Sequence, residues 1–371
     1  MILGIDISTY LEQQKYAHQK FYKDGEVFDP ITLFKNQGVS HIRTRIWNNP
    51  YDNNGEPYLG GTCDLDNLIN LYHTLKKYDF KYVIDFHYSD FWVDPSKQYL
   101  PKAWEHLSFD EIVEQVYLFT KESLLRCKKE EMDVTHVQIG NEITHGMLWP
   151  HASLIEQDNR EERFKKLSII LNSGIKAVKE IYPNAQIIIH LERSYDIACY
   201  DEYVGELIKN DVNFDILGSS YYPFWHRGFK EYFACQDMVR SKYHKKVMNL
   251  EFGFPFTLDD YLTNEELNGK HMVINEDNVI EFHKYLPYEI SKDGQKQFMR
   301  DFINEAKKHQ FEGVFYWEPL WVPGNNICWS SLEAQRYQRL TVLKDPRNEW
   351  ANQCLFDYDA NMNPAVLEYK L

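Results

Sequence analysis

Two glutamates stand at the ends of two separate apolar segments of this 371-residue sequence. Glu142 closes the segment 137–142, and Glu251 closes the segment 247–251. A facing pair of carboxyl groups can cleave a glycosidic bond with retention of configuration, because one group attacks the anomeric carbon while the other protonates the leaving oxygen. That chemistry requires the two carboxyl groups to lie roughly 5–5.5 Å apart.

The neighbours of the two glutamates indicate a different task for each. Asn141 directly precedes Glu142, and its amide can bond a sugar 2-hydroxyl, a contact that strengthens in the transition state. We assign Glu142 as the acid and then the base, so its pKa should be raised by burial and by the anionic Glu251. Glu251 is assigned as the nucleophile, which must stay ionised. Either glutamate alone is more often a structural ion-pair partner, so the assignment depends on the joint pattern.

An ionised Glu251 needs a cation or hydrogen-bond donors beside it. Arg43 and Arg45 belong to one predicted strand, and side-chain alternation places both on the same face. Alternation therefore does not separate them, and we favour Arg45 because it lies nearer the C-terminal end of the strand. Tyr221 and Tyr222, after the sixth predicted strand, are expected to bond Glu251 from the side.

Other residues complete a predicted sugar-binding surface. His87, at the end of the third predicted strand, can contact a sugar or a carboxylate, although a lone histidine there is more often simply half-buried. Aromatic residues make up 15% of the chain, and flat indoles stack on the apolar CH faces of sugars. Packing beneath loops is the alternative for any single tryptophan. Seven of them fall at or beyond predicted strand ends: Trp92, Trp104, Trp149, Trp225, Trp317, Trp321 and Trp329.

Eight β-like runs alternate with helix-period segments, which predicts an α/β protein with a single (β/α)8 TIM barrel over residues 1–371. A doubly wound open sheet is the competing architecture, but no Gly-rich phosphate loop follows an early strand. The predicted strands are 2–8, 41–47, 81–87, 136–141, 186–191, 214–220, 246–252 and 313–317. The predicted helices include 64–78, with Asp64 as its N-cap, 109–128, 160–182, 201–209 and 295–308.

The loops after the second, third, fourth and seventh predicted strands are long. They span residues 48–63, 88–108, 143–159 and 253–292. In β/α barrels the loops that follow the strand C-termini build the active site. Long, aromatic-rich loops on that face indicate an open cleft for a large substrate.

Bulk composition argues against several classes of protein. The formal net charge of -15 disfavours nucleic acid and anionic membranes as partners, because both need a basic surface. No apolar run approaches membrane-spanning length. The six scattered cysteines favour free thiols in a reducing compartment. The chain starts with strand-like residues, so we expect a cytoplasmic protein, and a secreted protein whose leader has been removed is the alternative.

The motifs resemble those of glycoside hydrolase family 53, the endo-β-1,4-galactanases, along nearly the whole chain. The matching stretches are 47–50, 60–62, 85–92, 94–95, 97–98, 137–142, 148–150, 220–224, 315–319, 352–353 and 355–357. The resemblance implies a TIM barrel, retaining hydrolysis inside β-1,4-galactan chains, no organic cofactor, and the roles given to Glu142 and Glu251. The candidate sugar-binding residues are Arg45, His87, Asp90, Trp92, Asn141, Tyr221, Tyr222 and Trp317.

Three departures from the family pattern mark where this chain can differ. Glu192-Arg193 stand where the family usually has Asp-Asn, and Phe252-Gly253 follow the nucleophile where a threonine is common. Bacterial relatives often hold calcium in the loop after the seventh strand. Here alternating oxygen ligands are not evident in the acidic run at 257–266, so we favour a solvated loop, with a calcium site as the alternative.

Two other functions remain open at the level of sequence. A barrel glycosidase with another β-linkage or with exo action is the nearer alternative, and a catalytically inactive carbohydrate-binding barrel is the more distant one. Both glutamates and Asn141 are intact, which argues against the inactive barrel. A cytoplasmic location would restrict the substrate to imported material, so we expect short β-1,4-galacto-oligosaccharides to be cut in preference to long galactan. The sequence leaves the oligomeric state open.

Overall fold

Eight short segments pair side by side as parallel strands and close into a barrel in the computed structural model, which describes residues 1–262, 271–279, 284–340 and 346–369. The barrel strands are β1 (Ile2–Asp6), β2 (His41–Ile46), β3 (Lys81–Phe86), β4 (Val134–Ile139), β5 (Gln186–Leu191), β6 (Ile216–Tyr221), β7 (Lys246–Phe252) and β8 (Gly313–Trp317). Each strand pairs with its neighbours in sequence, and β1 pairs with β8 to close the ring. The predicted TIM barrel is confirmed.

Helices connect successive strands and pack around the barrel. Asp64 caps its helix as predicted, since its carboxylate accepts from the backbone N–H of Asn67 at 2.7 Å. Ser108 and Glu111 form a capping box at the next long helix. The helices are Tyr10–Tyr16, Pro30–Asn36, Leu65–Leu75, Phe109–Lys129, Arg160–Ile181, Ile197–Lys209, Pro223–His226, Phe229–Tyr243, Glu276–Val279, Lys292–Lys308 and Leu332–Tyr337. Among the residues described, no helix is both long enough and apolar enough to cross a membrane.

The interior of the barrel is a packed core. The side chains that fill it are Val83, Ile188, Ile216, Met248, Leu250 and Phe315. Gly4 makes room for the Phe315 ring, because a Cβ at this glycine would lie 2.1 Å from Cε1 of the ring. The barrel is therefore closed below, and a ligand can reach it from the C-terminal end of the strands.

One layer closer to the C-terminal ends of the strands, the inward-facing side chains are polar. These buried residues are Asp6 on β1, Arg43 on β2, Asp85 on β3, Gln138 on β4, His190 on β5 and Ser220 on β6. Burial of so many polar groups is tolerated because they bond to one another across the barrel. They form the floor of the cavity described below.

Strand β7 contains an additional residue at the point where it meets this polar layer. Ser219 pairs with Asn249, but Ser220 pairs with Glu251, so Leu250 is skipped. Such a β-bulge places two residues of one strand opposite one residue of its partner. Leu250 lies in the barrel interior, and Glu251 also faces inward, into the cavity above it. Strict alternation from Leu250 would have turned Glu251 outward.

Candidate active site

A cavity of about 660 Å³ opens at the C-terminal end of the barrel. The long loops that follow the strands build its walls, as the sequence predicts. Glu142 and Glu251 both line the cavity. Six indoles surround them: Trp92, Trp225, Trp317, Trp321, Trp329 and Trp350.

Glu142 reaches the cavity through a tight turn at the end of β4. Gly140 has φ +83°, and Glu142 itself has the left-handed values φ +49°, ψ +51°. Gln98 holds the turn, because its Nε2 donates to the backbone carbonyl of Asn141 at 2.8 Å. The carboxyl group of Glu142 contacts a neutral partner, with Oε1 lying 2.6 Å from the Ser220 hydroxyl.

The surroundings of Glu142 disfavour its ionised form. Burial raises the pKa of Glu142 well above its ordinary value, and the negative charges of Glu251 and Glu192 raise it further. Donation of the Ser220 hydroxyl hydrogen to the ionised carboxylate would lower this pKa, but that contribution is smaller than the others. A carboxyl group held protonated in this way is suited to donate a proton.

Glu251 has a different set of partners. Its Oε1 lies 3.0 Å from Nη2 of Arg43, and its Oε2 accepts a hydrogen bond of 3.2 Å from the hydroxyl of Tyr222. Burial raises the pKa of Glu251 to about 7, and the charge of Arg43 is the largest contribution that lowers it. Glu251 therefore ionises more readily than Glu142, which has no such cationic contribution among the main causes of its shift.

Arg43 is the hub of the polar layer. Its Nη1 lies 2.8 Å from Asp6 Oδ2, and its Nη2 lies 2.8 Å from Asp85 Oδ2. Its Nε donates to Gln138 at 3.1 Å, and Nη2 also donates to Asn141 at 3.1 Å. The fixed fork of a guanidinium suits several simultaneous contacts, which a lysine could not make.

The prediction that Arg45 supports Glu251 is wrong. Arg45 lies on the same face of β2 as Arg43, but its guanidinium bonds Glu318 at 2.7 Å and stacks 4.0 Å from the centre of the Trp92 ring. The side chain of Arg43 extends toward the C-terminal end of the barrel. It contacts Asp85, which pairs in the sheet with Arg45, two residues further along β2. The prediction failed because it considered only the position of each Cα along the strand. A long side chain can reach about two residues, or ~6.6 Å, along the strand from its own Cα.

Only one of the two tyrosines meets Glu251. Tyr222 does so as predicted. Tyr221 points out of the barrel, where its ring stacks on Phe302 with centroids 5.2 Å apart and its hydroxyl donates to the backbone carbonyl of Arg227. Its predicted contact with Glu251 is wrong, because Ser220 occupies the inward position of β6 and the next residue must face outward.

The side chains of His87 and Asp90 lie in different places. His87 lines the cavity, and its Nε2 contacts Asp85 Oδ2 at 3.0 Å, so it meets a carboxylate as one of the two options predicted. Asp90 is 1% exposed and accepts from the backbone N–H groups of Asn49 and Lys102. It joins two loops and is not among the residues that line the cavity, so the structure gives no support to its predicted role in sugar binding.

Comparison with known proteins assigns the family. Residues 2–368 match the sequence profile described as Glycosyl hydrolase family 53.

This chain belongs to glycosyl hydrolase family 53.

Two named relatives and one solved structure are similar to this family 53 chain. A Bacillus subtilis (strain 168) protein named endo-beta-1,4-galactanase is 32% identical, covering 98% of this chain and 84% of the relative. A Cellvibrio japonicus (strain Ueda107) protein named arabinogalactan endo-beta-1,4-galactanase is 27% identical, covering 99% of this chain and 90% of the relative. The Ignisphaera aggregans GH53 catalytic domain superposes with a TM-score of 0.85 at 33% identity, covering 100% of this chain and 95% of that one.

The aromatic wall of this family 53 glycosidase differs from the predicted set by three residues. Trp104 and Trp149 lie outside the cavity; the indole of Trp149 donates to the backbone carbonyl of His145 at 2.9 Å. Trp350, which the prediction missed, packs edge-on against Trp317 with centroids 4.8 Å apart. Trp350 lies far along the chain beyond the end of β8, so its distance from any strand end gave no indication that it reaches the cavity. Trp225, at 47% exposed, stands at the rim.

The departures at 192–193 fall inside the cavity of the family 53 site. Glu192 accepts a 2.6 Å hydrogen bond from the hydroxyl of Thr144, in the turn that follows Glu142. Arg193 pairs with Asp196 at 2.5 Å. Both line the cavity, so this chain presents an additional acid and a cation to whatever the cavity holds.

Several residues of the family 53 site were not among the predicted ones. They are Asp6, Arg43, Asp85, Gln138, His190, Ser220, Glu318 and Trp350. A usable signal existed for six of them, because they are polar residues at inward positions near the C-terminal ends of otherwise apolar strands. Buried polar residues are informative where apolar ones are the rule.

The loop after β7, where relatives often hold calcium, is described only in part. Residues 263–266 of the acidic run lie outside the described residues. Of the described ones, Asp260 contacts His271 through Oδ2 and accepts from the backbone N–H of Leu262 through Oδ1. The part of the chain that is described contains no group of three or more His, Cys, Asp or Glu side chains that could hold a metal ion.

Proposed function

We propose that this protein is a retaining endo-β-1,4-galactanase that acts with Glu251 as nucleophile and Glu142 as acid/base. The observation that carries the proposal is that two buried glutamates line one cavity, and only one of them contacts a cation. Glu251 contacts the guanidinium of Arg43, and Glu142 contacts a hydroxyl. The names of the family 53 relatives support β-1,4-galactan as the substrate.

In the first step, the ionised carboxylate of Glu251 attacks the anomeric carbon. The bond from that carbon to the leaving oxygen breaks, and Glu142 delivers its proton to that oxygen. The product is a galactosyl ester on Glu251. Arg43 and Tyr222 hold the two oxygens of Glu251, so the attacking group is oriented before the substrate arrives.

In the second step, Glu142 takes a proton from water, and the oxygen of that water attacks the anomeric carbon from the face that the leaving group vacated. The ester bond to Glu251 breaks, and both glutamates return to their starting states. Two inversions at one carbon restore the original configuration. These steps are complete without an organic cofactor or a redox partner.

The indoles supply a binding surface for a chain of sugars. Trp317, Trp350 and Trp225 lie on one continuous side of the cavity, with ring contacts from Trp317 to Trp350 and from Trp350 to Trp225. Galactose presents an apolar face of CH groups, which packs on an indole while the hydroxyls face polar groups. An open cleft of this kind suits cleavage within a chain.

Time-resolved analysis of the products tests the proposal. Digestion of β-1,4-galactan is followed by proton NMR for the anomeric form released first and by chromatography for product length. The expected result is the β-anomer together with oligosaccharides of several lengths. Release of the α-anomer first would rule out the double displacement, and release of galactose alone would rule out endo action.

A substrate panel tests the linkage and the chain length. We expect β-1,4-galactan and its oligosaccharides to be cut at least about tenfold faster than β-1,4-mannan, β-1,4-xylan and β-1,4-glucan oligomers of equal length. Comparison of galactotetraose with long galactan tests the expected preference for short chains. Equal kcat/KM values for the two would contradict that preference while leaving the galactanase proposal intact.

A further inference from the structure

A chain of hydrogen bonds connects the proposed acid to the guanidinium of the polar layer. Nη2 of Arg43 lies 3.1 Å from Oδ1 of Asn141, which lies 2.9 Å from Nδ1 of His190. Nε2 of His190 lies 3.0 Å from the hydroxyl of Ser220, which lies 2.6 Å from Oε1 of Glu142. Because an arginine offers only donors, the direction of every hydrogen in this chain can be deduced from its starting point.

The orientation of the Asn141 amide is determined on both sides. Its Nδ2 donates to the backbone carbonyl of Val93 at 3.0 Å, an oxygen that can only accept. Its Oδ1 faces Arg43 and the Nε2 of Gln138 at 3.2 Å, both of which can only donate. The atom of Asn141 that meets His190 is therefore an acceptor.

The tautomer of His190 follows from that acceptor. If Nδ1 of His190 carried no hydrogen, two lone pairs would face each other at 2.9 Å, so Nδ1 must carry the hydrogen and donate it to Asn141. Gln138 does not change this conclusion, because its Nε2 has acceptors for both hydrogens in the carbonyl of Gly140 and in Asn141. Burial, and after it the charge of Arg43, lowers the pKa of His190 well below its ordinary value, so the ring is neutral and its Nε2 accepts.

Ser220 has one hydroxyl hydrogen, which it can donate either to His190 Nε2 or to Glu142. His190 Nε2 needs a donor, and Ser220 is the group within reach at 3.0 Å. Once the hydrogen is given to His190, the oxygen of Ser220 can only accept, so the 2.6 Å contact with Glu142 requires the hydrogen to lie on Glu142.

We propose that His190 and Ser220 are positioning residues that keep Glu142 in its protonated form in the resting enzyme. The inference rests on the proposed function, in which Glu142 is the acid. After Glu142 gives its proton to the leaving oxygen, the Ser220 hydroxyl rotates from His190 to the new carboxylate, and Nε2 of His190 loses its donor. When Glu142 regains a proton from water, Ser220 turns back. The ionised state thus has one hydrogen bond fewer than the protonated state.

Other charged and titratable groups face the same residues and must be held constant in a test. Those acting on Glu142 are Glu251 on β7, Glu192 at the end of β5 and Asp94 in the loop after β3, with the phenol of Tyr222 also near. Those acting on His190 are Arg43 on β2, His87 after β3 and His226 after β6. A double-mutant cycle on His190 and Ser220 leaves all of them in place.

The cycle compares His190→Phe, Ser220→Ala and the double variant, with carbon-13 NMR of labelled glutamate reporting the titration of Glu142 in the resting enzyme. Phenylalanine cannot accept a hydrogen bond, so Ser220 becomes free to donate to the carboxylate. We expect the Glu142 titration to move about one pH unit to lower pH in His190→Phe, since one unit equals about 1.4 kcal/mol, the size of one hydrogen bond to a charged group. In the Ser220→Ala background the same replacement should produce no shift.

An equal shift in both backgrounds, or no shift in either, would overturn the proposal. Nitrogen-15 NMR of the unaltered protein gives a second test that does not depend on the folding of any variant. We expect a hydrogen on Nδ1 of His190 and none on Nε2, and the opposite tautomer would refute the argument. Both measurements use the enzyme without substrate, so a failure to hydrolyse galactan would contradict the proposed function while leaving these outcomes to be read independently.

Discussion

Glu142 and Glu251 are the same residue type in the same cavity, yet their surroundings differ in the charge of the donor that each one meets. Glu251 lies 3.0 Å from a guanidinium, and Glu142 lies 2.6 Å from a hydroxyl. Burial and neighbouring anions raise the pKa of both, but at Glu251 the charge of Arg43 opposes them, and no cation is among the main causes at Glu142. The division between nucleophile and acid is therefore decided by the residues around the two carboxyl groups.

The two glutamates also reach the cavity by different backbone devices. Glu142 sits in a left-handed turn after Gly140, whereas Glu251 is turned inward by the bulge at Leu250. Both devices break the regular geometry of a strand at the point where a side chain must be aimed. The strands thus provide rigid positions, and local irregularity provides the direction.

The largest loss of activity is expected for Glu251→Ala. We expect kcat on galactan to fall by about 10⁵-fold or more, because the carboxylate that forms the covalent intermediate is removed. Added azide should restore activity on an activated β-galactoside and give an α-configured product. Circular dichroism should be unchanged. Retention of more than about one hundredth of the activity would remove Glu251 from the role of nucleophile.

Loss of the acid should be selective for the leaving group. In Glu142→Ala we expect kcat/KM on galactan to fall by about 10²–10⁴-fold. Cleavage of an aryl β-galactoside with a very acidic phenol should fall far less in its first step, because that oxygen leaves without a proton. Burst kinetics separate the two steps. An equal loss on both substrates would count against the assignment.

Replacing each arginine of β2 in turn distinguishes the roles of Arg43 and Arg45. In Arg43→Gln we expect kcat/KM to fall by about 10²–10³-fold and the acid limb of its pH profile to move to higher pH. The sign follows from linkage: Arg43 lowers the pKa of Glu251, so its removal raises that pKa and the nucleophile ionises only at higher pH.

Arg45→Gln is the matched control for the arginine test. It removes an equally buried guanidinium that contacts Glu318 and not Glu251. Both variants should lose about 3–5 kcal/mol of stability, since each leaves a buried carboxylate without its partner, and profiles must be measured where both remain folded. A comparable shift of the acid limb in Arg45→Gln would show that the ion pair with Glu251 is not the cause.

The smallest expected effect distinguishes the adjacent tyrosines. Tyr222→Phe should lower kcat by about tenfold, because it removes one hydrogen bond to the nucleophile. Tyr221→Phe removes a hydroxyl that bonds the backbone outside the barrel, so kcat should stay within about twofold while thermal stability falls slightly. If the two variants changed kcat equally, the tyrosine contact would have no part in the chemistry.

Much of the fold was predictable because local patterns determine it. The predicted bounds of β5, β7 and β8 match those of the structure, and each coincides with a short apolar run. Strand β4 begins and ends two residues earlier than predicted, because Gly140 and Asn141 belong to the turn that presents Glu142. Helices without a strong apolar period, such as Phe229–Tyr243, were not among those predicted.

The site was predictable in its chemistry and less so in its contacts. Type and strand position alone pointed to Glu142, Glu251 and Tyr222. The choice between Arg43 and Arg45 failed because alternation reports which face a residue occupies and says nothing of how far its side chain reaches. Trp350 was missed because it arrives from a segment remote from every barrel strand.

The amino-acid sequence by itself determined the order of eight strands, the family, and the two carboxyl groups at the ends of the fourth and seventh strands. These features depend on side-chain period and residue type, which act over a few neighbouring residues. Tertiary structure alone decided the inward turn of Glu251, the pairing of Glu251 with Arg43 and the hydrogen-bond chain to Glu142. Such contacts join residues from different strands, and they depend on the register of the closed barrel, which no single segment contains.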